Sequence, residues 1–161
     1  GLSGYPYYVG TQKFGAKITH VENIGATTFF CFSDGRIMKI NGSGGTGARM
    51  FNVEETSYGF QTYNTNYNTY LIGSQKFSTT VADMEYINAK TLIAFSDGRI
   101  MKVNGTAGTG QRIFNVEETS NGFQTYNTNY NTYLSGYQKF SSSAIDIDFT
   151  GSATIISFYD G

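Results

Sequence analysis

Thr91-Leu92-Ile93-Ala94-Phe95-Ser96-Asp97-Gly98-Arg99-Ile100-Met101-Lys102-Val103 reads as two apolar, β-branched runs joined at Asp-Gly. Such runs favour strands, and Asp-Gly supplies the positive φ values that a tight primed turn requires, so the stretch predicts a β-hairpin. The same hairpin recurs earlier, where Phe32-Ser33-Asp34-Gly35-Arg36 matches Phe95-Ser96-Asp97-Gly98-Arg99. A third occurrence reaches Phe158-Tyr159-Asp160-Gly161 and stops there.

Outward from the hairpin, the whole chain is periodic. Gln12-Lys13-Phe14 returns as Gln75-Lys76-Phe77 and Gln138-Lys139-Phe140, and 75 − 12 = 138 − 75 = 63, so the register holds without a gap. A repeat of this length decides the architecture before any other feature. Copy 1 covers about 12–74, copy 2 about 75–137 and a partial copy 3 covers 138–161, within one all-β domain spanning 1–161. Each unit has a head, from Gln-Lys-Phe to Asp-Gly, and a tail, from Arg to a Tyr/Asn-rich stretch. The tails are nearly identical: Phe32 to Leu71 differs from Phe95 to Leu134 at 6 of 40 positions. The heads have drifted, Gln12 to Cys31 keeping 7 of 20 positions in Gln75 to Ala94. Either a functional requirement holds the tails, or exchange between copies has homogenised them.

Ile145-Asp146-Ile147-Asp148-Phe149 alternates strictly, Thr154-Ile155-Ile156-Ser157-Phe158 is a denser strand pattern, and Gly151-Ser152 between them reads as a turn. Arg49-Met50-Phe51-Asn52-Val53 is expected to be the fourth strand of its unit. Four strands per unit suggest blade-like, β-propeller-type repeats, with a pseudo-three-fold β-trefoil or β-prism as the alternative. Two and a half blades do not close a ring alone, so the propeller reading carries an expectation of homo-oligomers. The Gly-rich segments 42–47 and 105–110 lack the Lys-Ser/Thr and following helix of a phosphate loop, and read as strand connections.

The composition excludes several partner classes. Lys plus Arg number 11 against 12 Asp plus Glu, a net charge of −1, which offers no footprint for nucleic acid. No stretch approaches the ~20 apolar residues of a membrane span, so no membrane insertion is expected. Cys31 is the one cysteine, and its register equivalents Ala94 and Ser157 are small, which predicts a buried packing position rather than a disulfide. Gly1 suits a processed mature end, and the acceptor triplets Asn41-Gly42-Ser43 and Asn104-Gly105-Thr106 lean towards secretion.

No enzyme chemistry is legible. His20 is the one histidine and its equivalents are Asp83 and Asp146, so it reads as a solvated strand residue, and neither a zinc cluster nor a triad can be assembled. Glu54-Glu55 and Glu117-Glu118 are adjacent, and adjacent strand residues face opposite ways, which makes each a poor acid/base couple. Asp146 and Asp148, like Asp83 and Glu85, read as a charged outer face, with no acidic loop for calcium. Neither cofactor nor metal is expected.

The tail run Tyr63-Asn64-Thr65-Asn66-Tyr67-Asn68-Thr69-Tyr70 is repeated as Tyr126-Asn127-Thr128-Asn129-Tyr130-Asn131-Thr132-Tyr133. Planar amides and carboxylates hydrogen-bond sugar hydroxyls in a fork, while an aromatic face covers the apolar side of the ring. The candidate ligand-binding residues are therefore Arg49, Glu54, Glu55, Tyr63, Asn64, Asn66 and Tyr67 in copy 1. Their counterparts in copy 2 are Arg112, Glu117, Glu118, Tyr126, Asn127, Asn129 and Tyr130. Two equivalent sites per chain would raise avidity for clustered sugars. A structural or adhesive extracellular protein, with Tyr/Asn ladders as packing surfaces, is the alternative.

The strand-Asp-Gly-strand hairpin, the aromatic and Gly-rich unit and the near-identical tandem copies resemble invertebrate tandem-repeat lectins. Tachylectin/tectonin propellers and the small N-acetylhexosamine-binding lectins of marine sponges are examples. The resemblance implies a secreted, multivalent, non-catalytic binder of glycans or glycoproteins, with N-acetylated hexose as the ligand.

Overall fold

Both full copies form the Asp-Gly hairpin, but through a longer turn than expected. The computed structural model describes residues 10–42, 44–45, 47–110 and 112–161. In it the Gly35 N–H donates to the Phe32 carbonyl at 3.1 Å, and within the Ser33-Asp34-Gly35 connection only Gly35 has positive φ, at 90°. That is a three-residue loop ending in a left-handed glycine, not a two-residue primed turn. A primed pair does occur elsewhere, at Asn88 and Ala89, with φ of 51° and 65°. Glycine at 35 also answers a steric demand, because the Phe77 N–H donates to the Gly35 carbonyl at 2.9 Å. A Cβ there would lie 2.2 Å from the Phe77 carbonyl oxygen.

The chain is all-β, in several small antiparallel sheets. In copy 1, β1 (Ile18–Ile24), β2 (Thr27–Phe32) and β3 (Arg36–Asn41) form a meander. The fourth position beside β3 belongs to β6 (Tyr70–Lys76), and a separate hairpin of β4 (Val53–Thr56) and β5 (Gly59–Thr62) is inserted between β3 and β6. Copy 2 repeats the plan. Its sheet holds β7 (Val81–Ile87), β8 (Lys90–Phe95), β9 (Arg99–Asn104) and β12 (Leu134–Lys139), with β10 (Val116–Thr119) and β11 (Gly122–Thr125) as the inserted hairpin. Copy 3 contributes the pair β13 (Ala144–Phe149) and β14 (Thr154–Phe158). Among the described residues the sheets do not close into a barrel or ring.

The expected fourth strand at Arg49 to Val53 is thus displaced to the end of the Tyr/Asn run. The reason lies in Gln12, whose side chain replaces a neighbouring strand. Its Oε1 accepts from the Phe51 N–H at 3.0 Å and its Nε2 donates to the Val53 carbonyl at 2.6 Å. Gln75 does the same for Phe114 and Val116. Phe14 completes the linkage, meeting Phe32 and Phe60 edge-on with ring centroids 5.7 Å from each, and Phe77, Phe95 and Phe123 repeat the triad. The inserted hairpin is held to its sheet by these rings, which explains why Gln-Lys-Phe marks the period.

The heads carry the junctions between copies. β1 packs against β7, and β7 against β13. Phe29, Cys31 and Ile37 of copy 1 share one core with Val81, Met84, Ile93 and Phe114 of copy 2, while Ala94 and Ile100 meet Ala144 and Ile147. Cys31 is buried and free, and burial pushes its thiol up. Ala94 is buried too, whereas Ser157 is exposed, with no described unit packed over it on β14.

His20 is not a solvated strand residue. Its Nδ1 lies 2.8 Å from Asp83 Oδ1 and its Nε2 lies 2.8 Å from Glu22 Oε2. Asp83 in turn leaves the expected outer face and is buried, its Oδ2 accepting from the Ile147 N–H at 2.6 Å. The bond to Asp83 is the main cause that holds the imidazole up at about 9, against an opposing push from burial. Burial raises the Asp83 carboxyl, but its bonds from His20 and the Ile147 amide outweigh that and leave it below the usual range.

A folded-state value above the ordinary 6.5 means that protonated His20 stabilises the fold. That contribution is complete below pH 6.5 and is lost as pH rises through about 9. Proton NMR on the lone imidazole should accordingly titrate near pH 9, and Asp83→Asn should bring the midpoint down towards 6.5. An unchanged chain titrating at 6.5 would refute the linkage.

Candidate functional site

The tail loop stands on a buried asparagine. Asn52 Oδ1 accepts from the Asn64 N–H at 3.0 Å, and its Nδ2 donates to the carbonyls of Asn64, at 2.8 Å, and Thr69. Asn115 makes the same three bonds to Asn127 and Thr132. Both ends of the loop are pinned by one amide, and the tyrosines between them are held half-exposed. Asn64 Oδ1 is itself engaged, accepting from the Asn66 N–H at 2.9 Å, and Asn127 does likewise for Asn129 at 3.0 Å.

The loop forms one wall of a cleft in copy 2. Arg112, Tyr126, Asn127 and Tyr130 face Ser74, Gln75 and Lys76 across about 610 Å³. The Arg112 guanidinium lies over the Tyr126 ring, 3.9 Å from its centroid, and its Nη1 donates to the Val116 carbonyl at 3.3 Å. Copy 1 reproduces the pairing, with Arg49 3.8 Å from the Tyr63 centroid. The Thr109 hydroxyl also lines the copy 2 cleft, is buried, and has no hydrogen-bond partner among the described residues. A buried hydroxyl without a partner forfeits about 1–3 kcal/mol that a hydroxyl-bearing ligand would return. Its copy 1 equivalent, Thr46, lies outside the described residues.

The glutamates divide between two places. Glu54 accepts a bond from Gln61, with Arg49 4.0 Å away, and Glu117 accepts one from Gln124. Glu55 and Glu118, on the opposite strand face, join a different cleft. Glu55 Oε1 accepts from Arg36 Nη2 at 2.8 Å, its Oε2 accepts from the Gly15 N–H at 2.6 Å, and Arg36 Nε donates to Asp34 Oδ2 at 2.6 Å. In copy 2, Arg99 bridges Asp97 and Glu118 at 2.7 Å each. Burial raises the Glu118 carboxyl, but bonds from Ser78 and Arg99 prevail and hold it below its usual value. These clefts enclose about 480 and 570 Å³.

The structure therefore brings Arg, Tyr and Asn of each tail together, leaves Asn66 and Asn129 on the exposed loop, and separates Glu55 and Glu118 from them. Gln75, Lys76, Thr109 and the Asp-Gly-Arg network are additions. Their signal in the sequence was recurrence at the same register, which marked the repeat without revealing which cleft each residue lines. The acceptor asparagines are committed as well: Asn41 and Asn104 donate their amides to the carbonyls of Asn68, at 3.2 Å, and Asn131, at 2.9 Å. Ser43 of the first triplet lies outside the described residues.

Among the described residues no group of three or more His, Cys, Asp or Glu side chains is placed to hold a metal ion, and no helix is long and apolar enough to cross a membrane. The chain matches no protein-family model, no curated protein and no solved structure.

Proposed function

We propose that this protein is a multivalent, non-catalytic carbohydrate-binding lectin that uses the tail cleft of copy 2 and the matching Arg49, Tyr63 and Asn64 group of copy 1. The observation that carries the reading is the copy 2 cleft. A half-exposed tyrosine braced by a guanidinium stands beside an asparagine, and a buried hydroxyl in the same wall lacks a partner among the described residues. Tyr126 offers a rigid face for the C–H side of a sugar ring, while Thr109, Asn127 and Lys76 offer bonds to its hydroxyls. N-acetylhexosamine-type glycans are the ligand class, and a secreted protein acting on glycoproteins is the setting. Lys76 and Arg112 line this cleft without a carboxylate, which favours acidic forms of such sugars as a second ligand group.

The units are read as β-propeller-type blades. The meander order β1-β2-β3-β6, repeated as β7-β8-β9-β12, supports this over a β-trefoil or β-prism.

A glycan array carrying neutral, sialylated and sulfated N-acetylhexosamine glycans in multivalent form tests the proposal. Binding is expected to weaken roughly fivefold per cleft when Tyr63 and Tyr126 are both replaced by Ala, from the loss of about 1 kcal/mol of ring contact at each. Glu55→Gln with Glu118→Gln should leave binding intact, since both residues lie in the other cleft. An array without any bound glycan would sink the lectin and favour the adhesive alternative.

A further inference from the structure

The two junctions inside the chain use the same pair of faces, and among the described residues each face is left open once. On the receiving face, Val81 and Met84 of copy 2 are 0% exposed and Ala144 and Ile147 of copy 3 are 0% and 2%, covered by the preceding unit. The equivalent positions in copy 1, Ile18 and Val21, are 38% and 49% exposed, and Met50 is 47% exposed where Ile113 is 3%. On the covering face, Phe29 is 0% exposed, while its copy 3 equivalent Ile155 is 50% exposed. The open receiving face is an apolar groove of about 740 Å³, floored by the buried rings of Phe30 and Phe51.

We infer that the receiving face of copy 1 is a docking surface for the covering face of copy 3 in a second copy of this chain. Chains would join head to tail through a third junction that uses the β13–β14 part of the covering face, where Ile155 and Ser157 stand in the register of Phe29 and Cys31. The occupant is specified by continuity with those junctions: Val21 and Phe30 in the groove stand at the register of Ile147 and Ile156, against which Leu92 and Ala94 pack. A polar link falls in the same register. Asp83 Oδ2 holds the Ile147 N–H, and a translation by one repeat sets Asp146 of one chain against the Val21 N–H of the next. Such a contact is heterologous, so it propagates until a ring closes or a filament grows.

Sedimentation of the intact chain at micromolar concentration is expected to give a multiple of 17.7 kDa. Val21→Glu with Met50→Glu should reduce it to a 17.7 kDa species with unchanged far-UV circular dichroism, both side chains being exposed. Ile155→Glu, on the opposite face, should do the same. Each variant keeps one competent face, so mixing the two should restore a one-to-one dimer of twice 17.7 kDa, an outcome that a symmetric interface cannot produce. Tyr58→Glu, on the exposed hairpin tip, should leave the assembly unchanged. The inference is overturned if the intact chain sediments at 17.7 kDa at every concentration, if the charged variants keep the assembly, or if their mixture stays monomeric.

Discussion

Replacement of Asn115 by Ala is expected to lower the free energy of unfolding by about 2–4 kcal/mol and to abolish sugar binding by copy 2. Asn115 is fully buried, and its amide serves the Asn127 N–H, the Asn127 carbonyl and the Thr132 carbonyl together. Truncation strands three backbone groups, each costing about 1–3 kcal/mol where water does not reach it. The loop between them is exposed enough for water to recover part of that, which sets the lower figure. Asn115→Asp should not rescue the fold. It keeps the side-chain volume and one acceptor, but aims a carboxylate at two carbonyl oxygens. Urea denaturation reads the stability, and the amide resonances of residues 126–133 read the loop. A loss under 1 kcal/mol with ordered loop amides would show that Asn115 does not hold it. Asn52 makes the matching bonds in copy 1, so Asn52→Ala should act there independently.

Gly98→Ala should cost more than 3 kcal/mol, whereas Gly25→Ala should cost about 1 kcal/mol. Both glycines have positive φ, 93° at Gly98 and 62° at Gly25, so each carries a conformational penalty for a side chain. What differs is space. A Cβ on Gly98 would lie 2.2 Å from the Phe140 carbonyl oxygen and 2.8 Å from that of Ser142, while nothing lies within 4 Å of one on Gly25. Relief requires the segment at 140–142 to move, which breaks the Phe140 N–H bond to the Gly98 carbonyl, 2.9 Å long, and loosens the link into β13. Thermal unfolding compares the two variants directly. Hydrogen exchange should quicken in β13 and β14 for Gly98→Ala, and equal stability of the two variants would contradict the steric account.

The strands of the heads and the position of the Asp-Gly hairpin were legible because they depend on neighbours in sequence. Thr154 to Phe158 and Ile145 to Phe149 carry strand periodicity, and β14 and β13 form there. Arg49 to Val53 misled because its pattern is that of a strand while its hydrogen bonds go to Gln12, some 40 residues away. The same distance hid the site. The tail residues were legible as a set, and opposite strand faces foretold that Glu54 and Glu55 part company. The partners of Glu55 are set by where Arg36 and Gly15 arrive. His20 misled in a further way, since its buried partner Asp83 stands at its own register position one repeat later.

The amino-acid order alone determined the repeat of 63, the alternation of drifting heads with near-identical tails, the all-β class and the residue types of the candidate site. These follow from local chemistry: side-chain alternation, branched side chains and glycine at turns. Tertiary structure alone decided that β6 rather than Arg49 to Val53 completes the copy 1 sheet, as β12 completes that of copy 2, that one tail supplies two separate clefts, and that the heads form the junctions. These are contacts between residues distant in sequence, fixed by which faces find cover when the sheets pack. A pattern with period two says that a strand has two faces, but not what lies against either one.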